Sequence, residues 1–226
     1  MQPRSFFSKL NPEKTKLLQT TVEWHTTLTP LMEQQIIQTH LASFLDLYRD
    51  FSEAQLGLPA GTSKKVWLTN MIQAELKDVK AGNILLATVS IENNVAGFIT
   101  CLPVTHRHNK ASSSPIVNLW HQKPTAATQW QDSIRKDAYI SLLAVKPCRS
   151  SRTGKKTQIG LGRQLVESVE AKMADANSLT LDTRLINTPG IDFYKNLGFS
   201  TSGQRTFGGS DPDHYTGCEK KLMKLA

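Results

Sequence analysis

The segment Gln158-Ile159-Gly160-Leu161-Gly162-Arg163 carries the clearest chemical signal in the chain. It follows the apolar strand segment Ala138–Val145 and opens a helix whose residues Leu161, Leu165, Val169 and Met173 recur four apart. A turn that becomes a helix N-terminus presents backbone N–H groups without intrahelical partners at the positive end of the helix dipole. That pairing holds phosphate. Two glycines one residue apart let an anion approach the backbone with no Cβ in the way. The spacing therefore points to a phosphate-bearing ligand. A Walker A loop is excluded, because no Gly-Lys-Ser/Thr follows the glycines. A Rossmann turn is disfavoured, because the lead-in from Lys146 is too long for a tight first turn and the nearby strands form a hairpin.

The elements that must position this turn can be read outward from it. Thr21–Thr27 reads as a short edge strand. Pro30 starts a helix with Leu31, Ile36, Ile37, Leu41, Phe44, Leu45 and Tyr48 at helical spacing. A break rich in Gly and Pro, Gly57–Ser63, precedes a second helix, with Ser63 as its candidate cap and Val66, Trp67, Met71 and Leu76 as its apolar side. Asn83–Ile91 and Val95–Val104 flank Glu92-Asn93-Asn94 as a β-hairpin. After the glycine turn come a strand at Leu179–Arg184, a short helix at Pro189–Leu197 ended by Gly198, and two closing strands. The order β-α-α-β-β-β-α-β-α-β-β predicts a mixed α/β (α+β) fold with about seven strands, mostly antiparallel, flanked by helices. Residues 1–20 read as a polar lead-in. Residues 21–226 read as a single domain carrying a long insertion at about 105–136, which holds Trp120 and Trp130.

Composition removes several classes of function. The chain has 226 residues, enough for one sizeable core, and is 39% hydrophobic. No apolar run approaches the roughly 20 residues of a membrane span. The basic start, Met1–Lys9, lacks the apolar core of a secretory signal, so a cytoplasmic protein with no membrane partner is expected. Cys101, Cys148 and Cys218 are odd in number and lack C-x-x-C spacing, which argues for a reducing compartment and against a zinc site. His106-Arg107-His108 has no acidic or Cys partner at ligand spacing, so no metal is expected. The formal net charge of +8 suits an anionic ligand or nucleic acid. No basic-aromatic repeat supports nucleic acid, and Lys146, Arg149, Arg152, Lys155 and Lys156 all fall just before the glycine turn.

A second segment lifts the signal of the first: Asn187-Thr188-Pro189-Gly190-Ile191-Asp192-Phe193-Tyr194-Lys195-Asn196-Leu197-Gly198-Phe199. On the residues alone, Asn187 either caps the following helix or meets a ligand, and Tyr194 either packs under the sheet or serves as a proton donor. With the strand Ile140–Pro147 and the G-x-G helix, this segment resembles the GCN5-related N-acetyltransferase (GNAT) superfamily, over about Asn83 to Leu225. The hairpin end Val95–Ile99 and the closing strand Gly217–Leu222 are similar to it as well.

The resemblance implies acetyl-CoA, as acyl donor, held between two splayed parallel strands, with direct transfer of acetyl to a primary amine of a small molecule or protein. It implies main-chain contacts from Leu143, Ala144 and Val145, and pyrophosphate binding by Gln158, Ile159, Gly160, Leu161, Gly162 and Arg163. Asn187 would contact the cofactor, and Tyr194 would stand near the sulfur as the acid. No metal is implied, and the protein would be a monomer or homodimer. Direct attack on a thioester needs an oxyanion donor and a proton for the departing sulfur, not a nucleophilic side chain. The chain departs from the family pattern at Thr157, where Arg or Gln is usual, with Gln158 one place late and a longer basic lead-in. That departure favours, as the alternative, a CoA-binding module without turnover. No general base stands out, since Asp137 only precedes the strand. The acceptor would enter near Asp50–Ser63 and Arg205–His214, where Asp50, Glu53, Asp211 and Asp213 attract cations.

Overall fold

Side-chain caps fix the first helices. Thr29 Oγ1 accepts from Met32 N–H at 3.2 Å and Ser63 Oγ accepts from Val66 N–H at 3.3 Å, each ahead of a good helix-forming run. The computed structural model describes residues 20–102, 137–147, 160–206 and 214–222. In chain order it contains β1 (Val22–His25), α1 (Pro30–Leu47), α2 (Lys64–Lys80), β2 (Leu85–Ile91), β3 (Asn94–Leu102), β4 (Asp137–Val145), α3 (Leu161–Lys172), β5 (Ser178–Arg184), α4 (Thr188–Asn196), β6 (Ser200–Thr206) and β7 (His214–Lys221). The predicted element order is the observed one. The lead-in and the insertion at 105–136 lie outside the described residues, apart from Thr20.

The seven strands form one sheet in the order β1-β2-β3-β4-β5-β7-β6. Every pairing is antiparallel except β4 with β5. Glu92 and Asn93, with φ of 50° and 62°, give the β2–β3 turn the two left-handed residues that match hairpin twist. Helices α1 and α2 cover one side of the sheet, where Ile36, Ile72, Leu76 and Val79 meet Leu86, Phe98, Tyr139 and Leu142. On the other side, Leu161, Leu165, Val166 and Val169 of α3 meet Ala87, Val89, Ile99 and Ile140. Two apolar residues expected inside the helices lie outside. Leu31 and Val66 are exposed, because both sit in a first turn, before the helix reaches the sheet.

One irregularity shapes the centre of the sheet. Thr100 pairs with Leu142 and Cys101 with Ile140, so Ser141 is the extra residue of a β-bulge. The bulge reverses the alternation of β4, and Tyr139 and Leu142 consequently pack on the same side. Thr100 Oγ1 accepts the Leu142 N–H at 3.0 Å and donates to the buried Glu75 carboxylate at 2.6 Å. A side chain thus pins the bulged backbone. Among the described residues, no helix is long and apolar enough to cross a membrane, and no His, Cys, Asp and Glu group is placed to hold a metal.

Candidate active site

The parallel pair β4 and β5 is bonded over a short stretch: Asp137 with Ser178, Ala138 with Leu179 and Tyr139 with Thr180. Side chains reinforce that end. Ser178 Oγ donates to the buried Asp137 carboxylate at 2.7 Å, and Thr180 Oγ1 donates to Ala138 O at 3.2 Å. Asp137, expected only to precede the strand, is thus its first residue and serves the strand junction. Beyond Tyr139 the strands part, while β5 stays paired with β7 along its whole length. The gap is a cavity of about 130 Å³ lined by Ile140, Ser141, Leu142 and Leu143 of β4 and Leu181, Asp182, Thr183 and Arg184 of β5. Tyr139, Asn187, Tyr194 and Tyr215 line it too, with Phe44 of α1, Tyr48 at the α1 C-cap, and Trp67, Leu68 and Met71 of α2.

The ladder decides which main-chain groups face that gap. Lys146 N–H donates to Ala96 O at 2.8 Å, so residue pairs alternate from there back along β4. Ala144 then spends its main-chain groups on Phe98, while those of Leu143 and Val145 turn toward β5. Ser43 Oγ donates to Val145 O at 2.8 Å, which leaves the N–H of Val145 and both groups of Leu143 as the ones presented to the cleft.

The described part of the glycine turn lies against the end of β4, where a Cβ on Gly162 would come 3.7 Å from Val145 Cγ2. Gly160 has φ of 98° and supplies no side-chain cap to α3, so the first-turn N–H groups of Leu161, Gly162 and Arg163 point outward as helix geometry requires. Gly162 also has a packing role. A Cβ there would lie 3.0 Å from Phe193 Cζ, so this glycine lets the ring of α4 lie against the start of α3. Leu161 is buried in the core, and Arg163 pairs with Glu167 at 3.5 Å on the surface. Gln158, Ile159 and Thr157 lie outside the described residues, as do Arg149, Arg152, Lys155 and Lys156.

Asn187 and Tyr194 both reach the cleft. Asn187 Oδ1 caps α4 by accepting from Gly190 N–H at 3.0 Å, and Nδ2 donates to Thr183 Oγ1 at 3.0 Å. One amide hydrogen and one lone pair remain on a residue whose orientation is set from both ends. Tyr194 is buried edge-on between Phe193 and Phe199, with ring centroids at 5.1 and 5.4 Å. Burial, and secondarily the Cys218 sulfur, push its phenol well above the ordinary value, so it stays protonated. The Cys218 thiol itself is also pushed up, chiefly by burial.

Asp182 and Arg184 are cleft residues that sequence reasoning missed. Their signal was the alternation Thr180-Asp182-Arg184, which reads as the wet face of a strand. Helices α1 and α2 and the loop between them cover that face instead. Arg184 Nε donates to the Tyr215 hydroxyl at 3.3 Å and Nη2 donates to Leu56 O at 3.3 Å. Its guanidinium carbon lies 5.6, 5.1 and 5.8 Å from the ring centroids of Tyr48, Trp67 and Tyr215. Asp50 and Glu53 are exposed and do not line the cleft, while Asp211, Asp213, His106, His108 and Cys148 lie outside the described residues.

No protein-family model and no curated protein matches the sequence. Solved structures match its architecture. A protein of Desulfovibrio desulfuricans assigned to the GNAT family of acetyltransferases superposes with a TM-score of 0.53 at 14% identity, over 90% of this chain and 100% of that one. The PaiA N-acetyltransferase of Thermoplasma acidophilum, solved in complex with coenzyme A, gives 0.52 at 17% identity over 89% and 99%. Aminoglycoside 6'-acetyltransferase type Ii gives 0.51 at 16% identity over 91% and 99%. This chain therefore has the fold of the GNAT acetyltransferases, as the two sequence segments implied.

Proposed function

We propose that the protein transfers acetyl from acetyl-CoA directly to a primary amine. The observation that carries this reading is the cleft itself: two parallel strands that part after three residue pairs, with a glycine-led helix terminus packed against the end of β4. An extended pantetheine arm has amides that bond to a strand edge as a peptide does, and the edge on offer is Leu143 with Val145. The pyrophosphate would lie on the N–H groups of the turn from Gln158 to Arg163, and Asn187, a cleft residue with one amide hydrogen not used by Thr183, would contact the cofactor.

The chemistry then divides between the two strands. The amine lone pair attacks the thioester carbon, a C–N bond forms, and the carbonyl oxygen gathers negative charge beside the cleft-facing N–H groups of β4. Collapse breaks the C–S bond. Tyr194, protonated across the neutral range, donates to the departing sulfur, whose own proton affinity rises in the same apolar surroundings. The ammonium proton passes to Asp182, the carboxylate among the described cleft residues.

Incubation with acetyl-CoA and an amine panel should release free thiol. Tyr194→Phe should lower kcat by about a hundredfold while leaving CoA affinity within about twofold, because a hydroxyl is removed and the ring stays packed. Unchanged turnover would remove the phenol from the mechanism. CoA binding with no thiol release from any amine would instead support a CoA-binding module.

A further inference from the structure

Ser141 occupies the extra position of the β4 bulge and lines the cleft. It is 9% exposed, and its Oγ is buried with no hydrogen-bond partner among the described residues. A buried hydroxyl with nothing to bond weakens the fold that carries it, and in a cleft lining its partner is one that arrives with a ligand. Its β4 neighbours in the lining, Ile140, Leu142 and Leu143, have aliphatic side chains and bring no competing polar atom. The backbone around it is held. Leu142 N–H donates to Thr100 Oγ1 at 3.0 Å, and that hydroxyl donates to the Glu75 carboxylate at 2.6 Å. One χ1 rotation carries the Ser141 hydroxyl between its staggered positions, so it can turn to a ligand in the gap while its backbone stays pinned.

Two features decide which part of a ligand would reach it. The start of α3 lies against Val145, and the strands close at the Tyr139–Thr180 pair. A cofactor with its pyrophosphate on that helix start runs along β4 from Val145 toward Tyr139 and carries its thioester at the closed end. The run from Val145 to Ser141 covers roughly 13 Å of strand. The bulge also withdraws a main-chain donor there, because the Leu142 N–H is already spent on Thr100. A thioester carbonyl offers lone pairs only, and a serine hydroxyl has a hydrogen to give. Among apolar side chains such a bond strengthens as negative charge builds on the oxygen.

We propose that Ser141 Oγ donates a hydrogen bond to the acyl carbonyl oxygen of the bound thioester, beside the cleft-facing N–H of Leu143. The hydroxyl keeps its hydrogen and forms no bond to carbon, so it serves the oxyanion as a donor and not as a nucleophile. The assignment rests on the transfer reading for the course of the cofactor, and binding tests it apart from turnover. Calorimetric titrations would compare acetyl-CoA with CoA, which lacks the acyl carbonyl. Ser141→Ala should weaken acetyl-CoA about fivefold and CoA less than about twofold. It should lower kcat about a hundredfold with the amine that releases most thiol. The thermal midpoint of the free variant should equal or exceed that of the wild type, since an unbonded buried hydroxyl is lost. Ser141→Thr, which returns the hydroxyl, should recover most of the acetyl-CoA affinity. Equal changes in the two affinities, a lower thermal midpoint with both ligands weakened alike, or acetyl left on Ser141 in the mass spectrum would each overturn the assignment. The selective loss without thiol release from any amine would keep this donor and sink the transfer reading. Thiol release that Ser141→Ala leaves unchanged, with equal affinities, would do the reverse.

Discussion

Under α3 the sheet is sealed by Leu161, Leu165, Val166 and Val169 against Val89, Ile99 and Ile140, a contact made almost wholly of aliphatic carbon. Across the same strands, the layer under α1 and α2 hides Thr39, His40, Glu75, Asp78 and Thr100 among its apolar residues. The difference follows what each side has to hold. The α3 side needs only shape, because its task is to aim one helix terminus. The α1–α2 side must hold a bulge, a strand edge and a cleft wall, and directional bonds do this where close packing alone would let backbone groups go unpaired. Ser43 on Val145 and Glu75 with Thr100 on Leu142 are those bonds.

Variants on each side test that division. Leu165→Ala empties a fully buried site under α3 and should cost about 4 kcal/mol of unfolding free energy, measured in denaturant, with no change in its pH dependence. His40 should show the opposite behaviour. It is buried beside Phe44 and Phe98, neither ring nitrogen has a hydrogen-bond partner among the described residues, and burial lowers its pKa to about 4. The folded value lies below the unfolded one, so the fold favours the neutral ring. Stability is whole above pH 6.5 and falls as pH drops from 6.5 toward 4, by about 3 kcal/mol. In His40→Leu that acid-side loss should shrink by this amount, and an unchanged acid limb would show that other groups cause it.

Smaller effects sharpen the comparison. Thr100→Val keeps the shape but removes the bond to the buried Leu142 N–H and one bond to the Glu75 carboxylate, so it should cost about 2 kcal/mol. It should also impair turnover more than Leu165→Ala does, because it loosens the bulge at Ser141. Asn187→Ala removes a helix cap and should cost about 1 kcal/mol. A drop in CoA affinity larger than that loss explains would give the amide a second task at the ligand.

What could be read beforehand was local. The helix starts at Pro30 and Gly160, the short helix within Asn187 to Phe199 and the cap at Ser63 each declare themselves within a few residues, and the described residues carry them where the pattern put them. Asp182 and Arg184 did not, because polar residues alternating with Leu179, Leu181 and Thr183 look the same whether water or two helices lie over them. Gly162 shows a subtler gap. Its presence was legible, but its packing role depends on Phe193, distant in sequence and brought there by the turn of α4.

That ring has a consequence for how α3 and α4 meet. Phe193 belongs to the β5 side and reaches across to the first turn of α3 and, through it, to Val145 at the end of β4. The ring therefore limits how closely α4 can approach the start of α3, and a smaller or larger side chain at 193 would change that approach without touching a residue that lines the cleft.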